Sequence, residues 1–414
     1  MQLPYHKTVL NNGITTLTQS VDSVRSVAVG VFIQAGSCDE NPKNNGIAHF
    51  LEHMSFKQTK TRSAYDIVED IESRGGHVNA YTSRELTGYY ARVLDSELDK
   101  TLEVLCDIVL NSTYPKDEIK REKSVVIEEI RDSLDTPQDI ANDSFMEQMF
   151  PKHPYGYPIM GNEDTVSSFS LDTIRDFVDK QYTSYRITVV AVGALDHNKV
   201  VKKVEAMMGD YKTITHAREE YPLFDSVEKE RIVSRDIAQS HLLIGRRAMG
   251  YTDKRRVAYA VLNSILSAGM TSRLFHNIRE KYGFAYTIYS FIDAFKTTGL
   301  FGVYIATDLK HVDTLKELIW KEFRKLKNDG VSELELDKVK AQSKGSLVMG
   351  LESMHNQMER MIQQHVRYNK IVSIDESLKK IEAVRPKDIQ DISQELFNES
   401  LFHTLLLKPN GKKT

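Results

Sequence analysis

A chain of 414 residues is too long for one ordinary core and divides naturally into two domains, each large enough to bury most of its apolar surface. Its 41% hydrophobic and 27% charged residues, with a formal net charge of -3, fit a soluble globular protein and exclude the strongly basic balance of a nucleic-acid binder. The two cysteines, Cys38 and Cys106, belong to no Cys-x-x-Cys pair, which argues against a disulfide framework or a cysteine-rich zinc site and fits a reducing compartment.

The opening text MQLPYHKTVLNNG has no apolar run of the kind a signal peptide needs, and no later stretch is long and apolar enough to span a membrane. The expectation is a cytoplasmic protein with no membrane contact. Further along, GIAHFLEHMSF reads as a helix on which His49 and His53, four apart, share one face, so both imidazoles can reach one metal ion. Glu52 borders that face without being a ligand, the place of a general base that takes a proton from water. The order His-x-x-Glu-His is the inverted-zincin signature. So short a string arises by chance on solvated helices too. Here, however, Ile47, Phe50, Leu51, Met54 and Phe56 surround it with apolar residues, and buried histidines need partners.

The alternating text HVNAYTS then reads as a sheet-edge strand. Beyond it, KDEIKREKSVVIEEIRDSL is a helix whose apolar stripe runs through Ile119, Val126 and Ile130. Glu122 and Glu129 fall beside that stripe and Glu128 points to the opposite, solvated side. Acids at the rim of a buried stripe call for a positive partner, either a metal ion or a Lys or Arg side chain.

Two segments are versions of one unit. IESRGGHVNAYTSRELTGYYARVLDSELDKTLEVL begins at Ile71, and IREKYGFAYTIYSFIDAFKTTGLFGVYIATDLKHVDTLKELI begins at Ile278, each with a glycine (Gly76, Gly283), a hairpin and an amphipathic helix in the same order. The repeat is about half the chain, so the expected fold class is α+β, with two similar halves from an internal duplication. Each half should be an antiparallel sheet with helices packed on one face. The expected domains are residues 1–211 and 236–414, joined by a charged linker over 212–235 that carries Pro222 and shows no sustained period.

GIAHFLEHMSFKQT, GGHVNAYTSRE, EKSVVIEEI, HPYGYPIMGNEDTV and REKYGFAY, taken together and in this order, resemble the pitrilysin family of metallopeptidases, in particular its mitochondrial-processing-peptidase subgroup. The resemblance covers nearly the whole chain. It implies a zinc-dependent endopeptidase with one Zn2+ per chain, held by His49, His53 and Glu129, with Glu52 as base and Glu122 supporting a ligand histidine or water. Asn79 and Ala80 are implied to hydrogen-bond an extended substrate by strand addition, and Asp139 and Asp143 to bind a basic side chain near the cleavage site. In the second half, Arg279 and Tyr286 resemble the pair that the family brings to the substrate, whereas the positions equivalent to the metal helix, around Arg256 to Ala260, offer no histidine or acid pair. The two halves are implied to enclose a chamber that admits peptides or unfolded segments. A chain carrying both the metal site and the Arg/Tyr motif is expected to form a homodimer. Gln58 departs from the family, which usually has Gly there, but it touches no ligand. The rival reading is a non-catalytic scaffold or partner subunit of the same fold, and such chains usually lose ligands; here all are present.

Overall fold

A computed structural model describes residues 5–213 and 218–410, so positions 214–217 of the expected linker lie outside the described residues. The first sheet contains β1 (Tyr5–Val9), β2 (Thr15–Ser20), β3 (Ser26–Ile33), β4 (His77–Thr82), β5 (Thr87–Leu94) and β6 (Ile187–Gly193), in the order β1-β2-β6-β3-β5-β4. Its inner strands SVAVGVFI and ITVVAVG are apolar almost throughout instead of alternating, because both faces of this sheet are covered. Val27, Val29, Val31 and Ile33 point into a core shared with the helices α1 (Ile47–Ser55), α2 (Ala64–Glu72), α3 (Leu98–Leu110) and α4 (Lys116–Leu134). Ala28 and Phe32 point the other way.

The second sheet contains β7 (Glu230–Arg235), β8 (Ser240–Met249), β9 (Ala285–Ala294), β10 (Thr298–Thr307) and β11 (His403–Pro409), in the order β7-β11-β8-β10-β9. Strand for strand it matches the first sheet without β1, so two similar α+β halves are observed. Helices α5 (Pro137–Met149), α6 (Glu163–Ser168), α7 (Leu171–Gln181) and α8 (His197–Met208) precede it in the chain. Helices α9 (Arg256–Ser267), α10 (Val312–Asn328), α11 (Glu333–Gly350), α12 (Met354–Tyr368), α13 (Ile374–Glu382) and α14 (Pro386–Leu396) follow its first strands. Within this half α9 packs on β9 as α1 packs on β4 in the other.

Three features depart from the expectation. First, the sheets are mixed: β2 runs parallel to β6 and β7 parallel to β11. The strands β6 and β11 each follow a run of helices, and a long crossover permits the parallel pairing that a tight hairpin cannot make. Second, helices lie on both faces. In the first unit, Met358, Met361 and Ile362 of α12 pack on Ala28, Phe32, Val190 and Val192. In the second, α5 packs on β8 and β11.

Third, the compact units are therefore interleaved in sequence instead of cut at 211 and 236. Residues 133–152 group with the second unit and 351–371 with the first, and the chain passes between units at Pro222 and Leu223. An amphipathic helix reveals that it has a buried face but not which sheet covers it, so the period could not show this exchange. The expected linker also ends in β7, a strand whose residues are largely exposed at a sheet edge and so carry little apolar signal.

Candidate metal centre

Helix α1 buries Ile47, Phe50, Leu51 and Met54 in the first core, and this orientation turns His49, Glu52 and His53 to the opposite side, where each is only partly covered. The two imidazole rings lie 4.7 Å apart between centroids. Against them packs α4, whose buried stripe is Ile119, Glu122, Val126 and Ile130. Glu122 thus stands in the stripe itself, and Glu129 beside it. The Oε2 atom of Glu129 is 3.4 Å from Nε2 of His53 and 4.0 Å from Nε2 of His49. One ligand atom from each of the three lies within 4.8 Å of the others, a set of two imidazole nitrogens and a carboxylate oxygen that fits a zinc ion.

Glu122 makes no direct use of that space. Its Oε1 is 2.8 Å from Nδ1 of His53 and its Oε2 is 2.7 Å from Nζ of Lys57. A proton on Nδ1 donated to Glu122 leaves the Nε2 lone pair turned towards Glu129, the tautomer a metal ligand requires. Burial opposes the imidazolium, but the hydrogen bond to Glu122 and the carboxylates of Glu129, Glu122 and Glu52 raise the pKa of His53. Burial pushes the other way on Glu122 as well, yet His53 and Lys57 hold it below its ordinary range. His49 has no such support. Among the described residues its buried Nδ1 has no hydrogen-bond partner, and burial, helped by the nearby His53, lowers its pKa to about 4. It is therefore neutral near physiological pH. Glu128 is exposed and pairs with Arg131 at 2.6 Å, as its place on the wheel implied.

Glu52 lies on the β4 side of α1 and accepts a 2.5 Å hydrogen bond from the Thr82 hydroxyl. Burial raises its pKa, against that bond and the charge of His53, which makes it a better proton acceptor than a solvated carboxylate. Thr82 and Lys57 escaped the sequence reading. The signals were available: Thr82 shares the strand face of Ala80, and Lys57 stands one helical turn past His53. Strand β4 is the edge of its sheet, paired on one side with β5 (Asn79 opposite Tyr90, Ala80 opposite Tyr89); among the described residues no strand takes its other side.

The remaining candidates lie in the second unit. Arg279 belongs to a π-helical turn, Phe275–Glu280, and its guanidinium carbon stands 4.5 Å from the Phe275 ring centroid and 4.8 Å from that of Tyr286. Tyr286 is the second residue of β9 and is 79% exposed, so its hydroxyl is available to a ligand. Asp139 is exposed and Asp143 half-buried, one turn apart on α5, which places them with the second unit and not with the unit that carries His49, His53 and Glu129. Helix α9, at the place of α1, reads RVAYAVLNSILS and carries no histidine or acid.

Residues 15–163 match the family model described as "Insulinase (Peptidase family M16)", and residues 168–343 match "Peptidase M16 inactive domain". A Bacillus subtilis protein described as an uncharacterized zinc protease is 37% identical over 401 residues, covering 97% of each chain. A Streptomyces coelicolor protein of the same description is 35% identical, covering 94% of this chain and 86% of that one. Among solved structures, a protease from Helicobacter pylori superposes with a TM-score of 0.92 at 23% identity over 99% of this chain and 100% of that one. An M16 inactive-domain protein from Pseudomonas fluorescens superposes with a TM-score of 0.91 at 16% identity, with both chains fully covered. At these identities the structural likeness is one of fold.

Proposed function

This chain belongs to the insulinase family of peptidases, family M16, and we propose that it is a zinc-dependent endopeptidase that hydrolyses peptides or unfolded segments bound in extended form. The observation that carries the reading is the convergence of His49, His53 and Glu129 with a raised-pKa carboxylate, Glu52, one residue from a ligand histidine. One Zn2+ per chain would be held by those three side chains and would polarise the scissile carbonyl and acidify water.

Glu52 takes the proton of the attacking water and returns it to the leaving amine, and Thr82 fixes the orientation of its carboxylate for both transfers. Glu122 holds His53 in the ligand tautomer. An extended substrate adds to the open edge of β4, with Asn79 and Ala80 hydrogen-bonding its backbone, which tolerates many side chains. Arg279 and Tyr286 donate to the substrate near the scissile bond, and Asp139 and Asp143 receive a basic side chain. The active form is a cytoplasmic homodimer. No described helix is long and apolar enough to cross a bilayer.

Metal analysis paired with cleavage of an unstructured peptide tests the reading. Zinc at about one per chain, with cleavage abolished by a chelator and restored by zinc, is the expected result. Stoichiometric zinc without cleavage would favour the scaffold or partner-subunit role instead.

A further inference from the structure

The turn that precedes the metal helix holds a fully buried acid that the peptidase chemistry does not use. Glu40 is 0% exposed. Its Oε2 accepts from the backbone N–H of Gly46 and from Nδ2 of Asn45, and its Oε1 from the N–H of Ala48, each at 2.8 Å. Gly46, the residue at the helix boundary, has no side chain with which to cap α1; its own N–H and that of Ala48 in the first turn are satisfied by a carboxylate from outside the helix, while the Ile47 N–H bonds the Asn44 carbonyl.

The same point is fixed from a second direction. Gly46 has φ 93°, and a Cβ there would lie 2.5 Å from the carbonyl oxygen of Met160; Gly161, at φ 75°, would place a Cβ 2.3 Å from the carbonyl oxygen of Asn45. Asn45 also donates to the Pro158 carbonyl at 2.9 Å. Adjacent Asp39 is clamped by Arg186 at 2.9 Å and by Arg218 at 2.8 Å, which holds the turn that carries Glu40.

We propose that Glu40 is a positioning residue for the metal centre: by tying Gly46 and Ala48 it sets where α1 begins, and hence where His49, one residue beyond Ala48, presents its ring. This rests on the reading of His49, His53 and Glu129 as ligands. A nine-residue helix has little stability of its own, so its ends decide its placement. A buried carboxylate is a costly cap, since burial pushes its pKa up to about 8 even against its three donors. Ser or Asn would cap a helix more cheaply. The carboxylate differs in binding two successive parts of the helix start with two oxygens, which is what a fixed ligand position needs.

The test is zinc affinity of the full chain, measured by competition with a chelating dye, alongside thermal melting. Glu40→Gln is isosteric and uncharged, but it turns an NH2 towards one of the backbone donors; Glu40→Ala removes both acceptors. Each is expected to weaken zinc binding about 10–100-fold, the range seen when the support of a metal ligand is removed. Val204→Ala, a core truncation on α8, is the control: it lowers the melting temperature and leaves zinc affinity unchanged. Should Glu40→Ala not fold, Glu40→Gln decides. Folded Glu40 variants with wild-type affinity, or a Val204→Ala protein that loses affinity to the same degree, would overturn the proposal. A folded wild type that binds no zinc would instead sink the metal-centre reading on which it rests.

Discussion

Glu122 lies 2.8 Å from Nδ1 of His53, and among the described residues no comparable group stands behind Nδ1 of His49. The two imidazoles are thus unequal: one is oriented by a carboxylate, the other only by packing. Glu122→Gln should weaken zinc binding about 10–100-fold, because an amide neither enforces the tautomer nor raises ligand basicity as a carboxylate does. Zinc titration of the folded variant checks this, and an unchanged affinity would show that Glu122 serves only Lys57.

The roles around α1 separate in one mutant series. Glu52→Gln should keep its zinc and lose hydrolysis by about 10²–10⁴-fold, since the base is gone and the ligands remain. His49→Ala, His53→Ala and Glu129→Gln should lose both metal and activity. Glu128→Gln, whose acid is exposed and paired with Arg131, should behave as wild type. Metal content by mass spectrometry with peptide turnover reads all five; a metal-free Glu52→Gln protein would mean its role is misassigned.

Zinc binding should release about one proton from the histidine pair just below neutral pH, not two. His53 holds its proton above the ordinary imidazole pKa, whereas His49, lowered to about 4, carries none to lose. Affinity therefore rises with pH until the raised pKa of His53 is passed and then levels. In the metal-free protein the His53 contribution to stability runs the other way: it is complete below the unfolded imidazole pKa and is lost as pH rises through the folded one. Calorimetry in buffers of different ionisation enthalpy counts the protons, and a count of two would contradict the asymmetry.

Arg279→Ala and Tyr286→Phe lie in the unit without ligands, so each should retain full zinc content and native melting. If their donors stabilise charge developing at the scissile carbonyl, kcat/KM on unstructured peptides falls by about 10²–10³-fold. Wild-type turnover by the zinc-loaded double variant would leave the pair a purely local role, with the guanidinium stacked on Phe275 and Tyr286.

Short-range pattern was enough to single out the candidate ligand helix, the stripe beside which Glu129 lies and the duplication. His49, Glu52 and His53 are related by helical spacing alone, Glu129 by its angle on α4 together with the family resemblance, and the repeat by the order of its elements. What depended on long-range packing was not legible. The pairing of Thr82 with Glu52 joins a strand to a helix 30 residues away, and the exchange of α5 and α12 between sheets depends on which apolar surfaces meet. The parallel pairs β2–β6 and β7–β11 likewise depend on where a crossover lands. The metal helix shows the division most clearly. Its ligand face follows from a spacing of four, but its starting point is set by Glu40, Gly46 and Gly161, three residues whose contact exists only after the chain has folded.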